Sequence, residues 1–335
     1  MLMAVGNYTG SYPIILTSSD AITWTQRNSI DAGVGLNAVC YSPSLLRWVV
    51  VGAVTGGQAL IMTSDNGGVS WTQRDNPKAL DLRGVAWSPT LDLFVACGLQ
   101  DGDAYLISSP DGITWTERAN ARAKNLYSIA WGLDRFIAIG HEIFAWAQAY
   151  KISSTDGINW VDISEGGIPD AKASEWEIRF TNNDLFMIGG YGLGDQAQLC
   201  LKKSIDGITW DFLASGILRD VASAPDYGAG IYVWGTARSA AFGTIITSTD
   251  LAVFVANDTL LDYSIYSVVY SESLELFVAV GGYKPVTPIA YIITSPDGLN
   301  WTQRVTPLDF SLVSICEGGL QMPIFDHHYS KNIVD

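Results

Sequence analysis

Short apolar runs recur along this chain and are separated by polar turns at a regular spacing. The most uniform runs read LFVACG from Leu93, RFIAIG from Arg135, LFMIGG from Leu185 and LFVAVG from Leu276. An almost unbroken apolar run of this length is typical of a strand that is buried on both of its faces. The pattern therefore predicts many short strands in sheets that are covered on both sides.

A second repeated pattern is an Asp-Gly turn followed by a tryptophan. In SPDGITWTER, which begins at Ser109, Gly112 can adopt a positive φ, and the Asp111 side chain can accept hydrogen bonds from its own turn. The residues from Ile113 to Thr116 are β-branched or aromatic, so they predict a strand directly after the turn, with Trp115 as its apolar anchor.

Near copies of this segment occur seven times, and the number of the anchoring aromatic residue rises by 44 to 50 from one copy to the next. A period in the forties that contains several strands is the signature of a propeller blade. The sequence therefore predicts an all-β fold, a seven-bladed β-propeller of four-stranded antiparallel blades. The anchoring aromatics are Trp24, Trp71, Trp115, Trp160, Trp210, Phe254 and Trp301.

Single repeats allow finer predictions. The third repeat predicts strands at residues 83–88, 93–98, 104–109 and 113–118. The sixth has Leu251 where most copies have glycine and Phe254 where they have tryptophan, which predicts that its turn differs from the others.

The two ends of the chain predict how the ring is closed. The chain begins with LMAVG, which matches the second strand of a blade, and the missing first strand is found in LVSICEGG from Leu312. We therefore expect the N- and C-terminal strands to pair. Because each repeat needs its neighbours, residues 1–320 are predicted to form one propeller domain, and residues 321–335 a tail that packs on the propeller or on a partner.

Composition narrows the range of partners. With 19 basic and 34 acidic side chains the formal charge is −15, which disfavours nucleic acid as a partner. No segment matches a signal peptide or a membrane span, so we expect a protein that is made in the cytoplasm and does not insert into a membrane. The cysteines lie in or beside apolar runs without paired spacing and are predicted to be core residues: Cys40, Cys97, Cys200 and Cys316.

The SxDGxxW turns resemble the Asp-box, or BNR repeat, of sialidases, sortilin-type receptors and photosystem assembly factors with seven blades. The resemblance covers nearly the whole chain, from the copy at Ser18 to the copy at Thr294. In those families the box is a structural turn that usually lies away from the catalytic centre. The resemblance therefore implies turn-forming roles for Asp20, Asp111, Asp156, Asp206 and Asp297.

The amino-acid sequences of whole repeats are also similar to those of propeller modules in bacteriophage virion and tail-fibre proteins. The segments that carry this likeness are YSPSLLRWVVVG from Tyr41, WSPTLDLFVACG from Trp87 and YSESLELFVAVG from Tyr270. It implies a non-enzymatic tail or fibre component, located in the virion, that binds other virion proteins and a host surface glycan or protein. The sequence leaves the oligomeric state open.

A sialidase-like glycoside hydrolase is the alternative, and an intracellular assembly factor is a further one. Sialidases need an arginine cluster, a Tyr-Glu nucleophile pair and an acid-base Asp, whereas this chain has no Arg-Ile-Pro segment. Arg83, Arg179 and Arg219 lie near the starts of predicted inner strands, which leaves a central arginine cluster open. Four arginines in the repeated WTxR position are instead predicted to face solvent: Arg27, Arg74, Arg118 and Arg304.

Other candidate chemistry is sparse, and the sequence predicts no catalytic residue, no metal site and no cofactor. His327 and His328 with Asp326 could bind a metal, but both histidines lie in the terminal tail, and adjacent residues on a strand point to opposite faces. His141 and Glu142 follow a second strand without an accompanying nucleophile pattern.

The predicted binding surface lies opposite the Asp-Gly turns. Loops between second and third strands, and between one blade and the next, emerge there and vary most along the chain. Their aromatic side chains suit sugar stacking or a protein hot spot, although they could also fold inward and cap the ring. The predicted binding residues, among which Trp146 and Tyr283 are the principal candidates, are Tyr8, Tyr12, Phe144, Trp146, Tyr191 and Tyr283.

Overall fold

The computed structural model places fourteen segments of the chain in strands and turns. The described residues are 1–9, 12–27, 33–55, 58–100, 103–119, 125–141, 149–164, 173–192, 199–213, 221–237, 243–257, 263–282, 290–307 and 310–318. Their strands form seven antiparallel sheets, which we call blades one to seven in chain order. Among these residues there is no helix that is long and apolar enough to cross a membrane.

Blades one to four each contain four strands, which are named below in order from the innermost to the outermost. Blade one consists of β29 (Leu312–Glu317), β1 (Leu2–Thr9), β2 (Tyr12–Ser18) and β3 (Thr25–Gln26). Blade two consists of β4 (Leu36–Ser42), β5 (Arg47–Thr55), β6 (Gln58–Ser64) and β7 (Thr72–Arg74). Blade three consists of β8 (Leu82–Ser88), β9 (Leu93–Gln100), β10 (Asp103–Ser109) and β11 (Thr116–Glu117). Blade four consists of β12 (Leu126–Gly132), β13 (Arg135–His141), β14 (Ala149–Ser154) and β15 (Val161–Asp162).

Blades five and seven follow the same plan, whereas blade six has a fifth strand because its inner strand is divided. Blade five consists of β16 (Ala173–Thr181), β17 (Leu185–Gly192), β18 (Leu199–Ser204) and β19 (Asp211–Leu213). Blade six consists of β20 (Val221–Ala222), β21 (Asp226–Gly228), β22 (Ile231–Ala237), β23 (Ile245–Ser248) and β24 (Val255–Asn257). Blade seven consists of β25 (Ser264–Ser271), β26 (Leu276–Gly282), β27 (Ala290–Ser295) and β28 (Thr302–Gln303).

The predicted seven-bladed propeller is confirmed. Neighbouring inner strands contact one another around the ring, and β25 of blade seven contacts β29 of blade one. The predicted closure is confirmed as well, because β29 pairs with β1 from Leu2 opposite Glu317 to Gly6 opposite Leu312. The tail predicted at residues 321–335 lies outside the described residues.

The core lies between the blades, which explains the apolar second strands. On β9, Phe94 and Ala96 pack into a cluster with residues of blade two, whereas Val95 and Cys97 pack into a cluster with residues of blade four. Successive residues of a strand point to opposite faces, so a strand that is covered by two neighbours is apolar throughout.

The Asp-Gly turns hold the outer edge of each blade. The Asp111 carboxylate accepts hydrogen bonds from the backbone N–H groups of Ile113 and Thr114 at 2.8 and 2.9 Å. Partial burial opposes ionisation of Asp111, but these donors together with the Ser109 hydroxyl hold its pKa below the ordinary value. Trp115 is buried and donates its indole N–H to the Gly112 carbonyl at 3.0 Å.

One prediction about the outer strands was wrong, and two others were only partly right. The fourth strand of blade three does not begin at Ile113, because Ile113 and Thr114 belong to the turn. The turn of blade six differs in only one respect: Asp250 accepts from two backbone N–H groups and Leu251 takes the positive φ of 61°, but Phe254 has no indole N–H to donate as Trp115 does. The repeated arginines are only partly solvent-facing, because their Nε–H groups donate to Thr17, Thr63, Ser108 and Thr294 hydroxyls.

Ring closure gives the first testable prediction. Deleting residues 308–335 removes β29 and exposes the edge of β1, so we expect lower solubility and loss of cooperative unfolding in a thermal melt. Deleting only residues 320–335 keeps β29 and is the control. If the longer deletion melts like the control, β29 does not close the ring.

Trp115, the aromatic anchor of the turn, gives the second testable prediction. Trp115→Ala removes a buried aromatic side chain and should lower the free energy of unfolding by about 3–5 kcal/mol. Asp111→Ala removes hydrogen bonds in a partly exposed turn and should lower it by about 1 kcal/mol. Denaturant titrations of both variants measure the difference; equal losses would contradict the assignment of Trp115 as the anchor.

Candidate functional site

The inner strands surround a central channel with a volume of about 1330 Å³. All seven blades contribute lining residues, which come from β29, β4, β8, β12, β16, β20, β21 and β25. The channel therefore lies on the axis of the ring. It is the candidate binding site among the described residues.

A β-bulge recurs at the same place in the inner strands of six blades. In blade three, Leu82 lies opposite Gly98 and Gly84 lies opposite Cys97, which leaves Arg83 as the extra residue. A bulge of this kind bends the strand and re-aims the side chain of the extra residue. The six extra residues, which we call the bulge residues, are Asn37, Arg83, Tyr127, Trp176, Tyr266 and Val313.

The residues around each bulge hardly vary, and packing explains why. The residue before the bulge is a fully buried aliphatic in five blades, for example Leu82 and Leu126. The facing residue of the second strand is a glycine, because the inner-strand backbone lies against it. A Cβ atom on Gly98 would lie 1.9 Å from the Asp81 carbonyl oxygen, and one on Gly281 would lie 1.9 Å from that of Ser264.

The bulge residues themselves differ from blade to blade. Five of them line the channel: Asn37, Arg83, Tyr127, Tyr266 and Val313. The backbone geometry recurs at this position while the residue type changes, so the position combines a fixed backbone with a variable side chain. Of these residues only Arg83 was singled out from the sequence. The glycine that ends each apolar run was the available signal, because it lies opposite the residue before the bulge.

The bulges lie at the start of the inner strands and therefore at one mouth of the channel. Second strands end and third strands begin at this mouth, whereas the Asp turns follow the third strands at the other end of the ring. The bulge residues thus lie on the face from which the predicted binding loops emerge.

Polar contacts around Arg83 involve residues of three blades. The Arg83 guanidinium lies 3.0 Å from an Asp81 carboxylate oxygen, while the other oxygen of Asp81 accepts the backbone N–H of Val54 in blade two. Asn37 donates its amide to the Leu82 carbonyl at 2.7 Å. Burial raises the pKa of the Tyr127 phenol, and the positive charge of Arg83 opposes that rise. These contacts join blades two, three and four at the mouth.

Arg179 binds blades five, six and seven together. Its guanidinium lies 3.6 Å from Glu177 and 3.7 Å from Asp226, and it donates to the Ser267 hydroxyl at 3.2 Å. Glu177 accepts the Ala224 backbone N–H at 2.9 Å, just where the inner strand of blade six is broken. The network therefore supplies the partners that this broken strand lacks.

The carboxylates of this network are partly desolvated. Burial raises the pKa values of Glu177 and Asp226 above their ordinary values, while Arg179 and the backbone donors oppose the rise. Asp226 also accepts the Tyr270 backbone N–H of blade seven at 2.9 Å. The arrangement is that of a structural ion network with one face toward the channel.

Two of the four cysteines differ from the prediction. Cys97 and Cys200 are core residues as predicted, but Cys40 and Cys316 are partly exposed and line the channel. None of the four, all of which lie in the described segments, forms a disulfide. Burial raises the pKa of Cys316 to about 11, so this thiol is protonated at neutral pH.

A separate ion cluster that the sequence analysis did not identify joins blades four and five. The ammonium groups of Lys151 and Lys202 each lie 2.9 Å from the same oxygen of Glu175, and all three side chains are fully or almost fully buried. Replacing one of the three side chains alone would leave a buried charge without its partner. The cluster therefore favours the observed packing of these two blades.

The predicted binding residues fall into three groups. Tyr12 begins β2 and is 51% exposed, but it does not line the channel. Tyr8 and Tyr191 lie on β1 and β17 near the mouth, and the structure describes their backbone but not their side chains. Outside the described residues altogether are Phe144, Trp146 and Tyr283, together with Arg219, Glu142, His327 and His328.

No family model matches the chain, and no curated protein is significantly similar to it in sequence. Solved structures do match. A protein from Lactobacillus plantarum aligns with 94% of this chain and 98% of its own, with a TM-score of 0.66 and 11% identity. A structure described as YCF48 bound to D1 peptide aligns with 83% of this chain and 84% of its own, with a TM-score of 0.59 and 13% identity.

TolB from Acinetobacter baumannii is a more distant match. It aligns with 74% of this chain and 61% of its own, with a TM-score of 0.52 and 12% identity. At such identities the likeness concerns the fold alone. This chain is a seven-bladed β-propeller.

The Arg179 network gives the third prediction. Arg179→Met leaves Glu177 and Asp226 without their cation and should lower the free energy of unfolding by about 3 kcal/mol. Arg83→Met is the matched control, because Arg83 is more exposed and pairs with Asp81 alone, and it should lower it by less than about 1 kcal/mol. Denaturant titrations measure both, and equal losses would show that Arg179 does not support the ring.

Proposed function

We propose that this protein is a non-enzymatic binding module that holds its ligand at the mouth of the central channel. The observation that carries the proposal is the ring of bulge residues. Six blades share the bulge, the buried aliphatic or polar residue before it and the glycine opposite it, yet they present different side chains at that one position. A repeated backbone geometry that places varied side chains around one channel mouth is typical of a binding site.

The chemistry of the mouth suits a polar chain such as a peptide or a glycan. Asn37 supplies an amide, Arg83 a guanidinium, and Tyr127 and Tyr266 supply phenols that combine an apolar ring with a hydrogen-bonding group. The predicted aromatic residues, Tyr12 among them, would extend this surface outwards. A peptide ligand also has support from the YCF48 structure, since that propeller is described as bound to a peptide.

A sialidase-like activity has less support. Of the two described arginines in the channel, Arg179 is engaged with Glu177, Asp226 and Ser267, and Arg83 pairs with Asp81. A substrate carboxylate would have to compete with these partners. The geometry therefore favours binding over hydrolysis.

For the biological setting we propose a bacteriophage virion, in which the protein is a tail or fibre component that attaches to a host glycan or protein or to other virion proteins. The support is the likeness of the repeats from Tyr41, Trp87 and Tyr270 to virion propellers. An intracellular assembly factor is the alternative setting. Immunogold labelling of purified particles from the source tests this part, and absence of the protein from those particles would contradict it.

The binding site gives the fourth prediction. The double substitution Tyr127→Ala with Tyr266→Ala should weaken binding at least about ten-fold on glycan and peptide arrays and in host-cell attachment, as expected for loss of two aromatic contacts. Phe212→Ala is the matched control, because Phe212 is an aromatic that is 54% exposed on the outer strand β19.

Thermal melts establish that both variants are folded. Unchanged binding by the folded double variant would contradict the site. Turnover of a fluorogenic sialoside by the unmodified protein, lost in Arg83→Met, would instead support the enzyme.

A further inference from the structure

The second face of the ring has an apolar surface that is exposed among the described residues. We call it the Asp-turn face, and it consists of the turns between third and fourth strands and the turns between inner and second strands. The former are residues 19–23, 65–70, 110–114, 155–159, 205–209, 249–253 and 296–300. The latter are residues 43–46, 89–92, 133–134, 182–184, 229–230 and 272–275.

Exposed aliphatic side chains are concentrated on these turns. The described part of the chain contains seventeen exposed large hydrophobic residues, and twelve of them lie on the Asp-turn face. Six occupy the same position of the repeated turn in six blades and are between 36% and 59% exposed: Ile22, Val69, Ile113, Ile158, Ile208 and Leu299. We call these six the aliphatic ring. Nearer the channel, other turns expose Leu45, Leu46, Leu91 and Leu133.

The turn itself does not require an aliphatic residue at this position. In five of the six blades the residue contributes its backbone N–H to the turn carboxylate, as Ile22 does to Asp20 at 2.8 Å and Ile158 does to Asp156 at 2.8 Å. Any residue other than proline supplies that donor. A polar side chain would therefore satisfy the turn and avoid exposing apolar surface to water, yet six blades carry Ile, Val or Leu at this position.

The charge of these turns is predominantly negative, although Arg47, which follows one of them, is ion-paired with Asp65. The turns themselves contain twelve carboxylates and no lysine or arginine. Hydrogen bonds from the backbone of Thr23 and Ile22 lower the pKa of Asp20 to about 2, and equivalent bonds from Asn300 and Leu299 hold the pKa of Asp297 well below its ordinary value. These carboxylates are ionised at every physiological pH. Exposed acids nearer the channel are Asp92, Asp134, Asp184, Glu272 and Glu275.

We propose that the Asp-turn face is a docking surface for a partner protein whose own surface combines lysine and arginine side chains with apolar ones. The ring of carboxylates attracts a basic surface, and the aliphatic ring supplies the apolar contact once the surfaces meet. The same charge repels a second copy of this face, nucleic acid and an anionic membrane. The surface is distinct from the channel mouth, so the protein can link its ligand to a second component.

Two synthetic peptides of equal length and charge serve as probes, one an amphipathic helix of Lys and Leu and the other with Ser in place of every Leu. Fluorescence anisotropy at low salt and at about 0.5 M salt, where charge contacts are screened, measures the binding of each. The protein should bind the Lys/Leu peptide at least about ten-fold more tightly than the Lys/Ser peptide at low salt, since only the former supplies apolar contact. Equal affinities would overturn the proposal.

Variants locate the contact. Ile158→Ser with Ile208→Ser removes neighbouring members of the aliphatic ring and should weaken binding of the Lys/Leu peptide by about five-fold or more. Phe212→Ser with Val305→Ser is the control, because these residues are exposed apolar groups outside the Asp-turn face. An equal loss in the control, or no loss in the Ile158/Ile208 variant, would overturn the proposal, provided that thermal melts show both variants folded.

Two further variants test the contribution of charge and the independence of the two faces. Asp92→Asn with Asp134→Asn should weaken binding at low salt by about two-fold or more and have no effect at high salt. The Tyr127/Tyr266 variant should bind the Lys/Leu peptide as the unmodified protein does. A loss in that variant would assign the peptide to the channel mouth and overturn docking on the Asp-turn face, while the array results for the mouth would stand separately.

Discussion

Burial of the second strand on both of its faces is the constraint on which the rest of this structure depends. On β9, Phe94 and Val95 are fully buried in clusters shared with blade two and blade four respectively. A blade with such a strand cannot shield it alone, and a row of blades would leave two unshielded ends. A closed ring gives every blade two neighbours. The pairing of β29 with β1 follows from the same requirement, because an open blade one would expose its edge together with its apolar face.

The closed ring brings the inner strands together, and that crowding creates both the channel and its chemistry. The backbone of each inner strand presses on the second strand where it bulges, so the facing residue is glycine, as at Gly98 and Gly140. The bulge residue stands outside the regular ladder, and five of the six bulge residues line the channel. Blade six departs from the plan because its inner strand is divided, and Glu177, Arg179 and Asp226 supply the contacts that a continuous strand would have made.

The two faces of the ring differ in what the repeat demands of them. A turn such as that at Asp111 uses a side-chain acceptor, a residue that adopts positive φ and an anchoring aromatic, so its copies remain alike, and the aliphatic ring is repeated with them. The bulge at the mouth needs only backbone geometry and tolerates Asn37, Arg83 and Tyr127 in successive blades. Repetition on one face fits contact with an extended partner surface, and variety on the other fits recognition of one ligand. This division supports a linking role for the propeller.

The sequence by itself determined the number of blades, their four-stranded plan and the closing strand, because these follow from local periodicity and from apolar runs that only a ring can bury. It also indicated the turn roles of the aspartates, because the carboxylate of an Asp in a tight turn accepts hydrogen bonds from the backbone N–H groups of that turn. It did not identify the bulge residues or the cluster of Lys151, Glu175 and Lys202. Strand pairing across a blade decides the former, and packing between blades decides the latter. Arg179 appeared as a candidate for substrate binding, but two of its partners, Asp226 and Ser267, belong to the next two blades, and only the ring places them around its guanidinium.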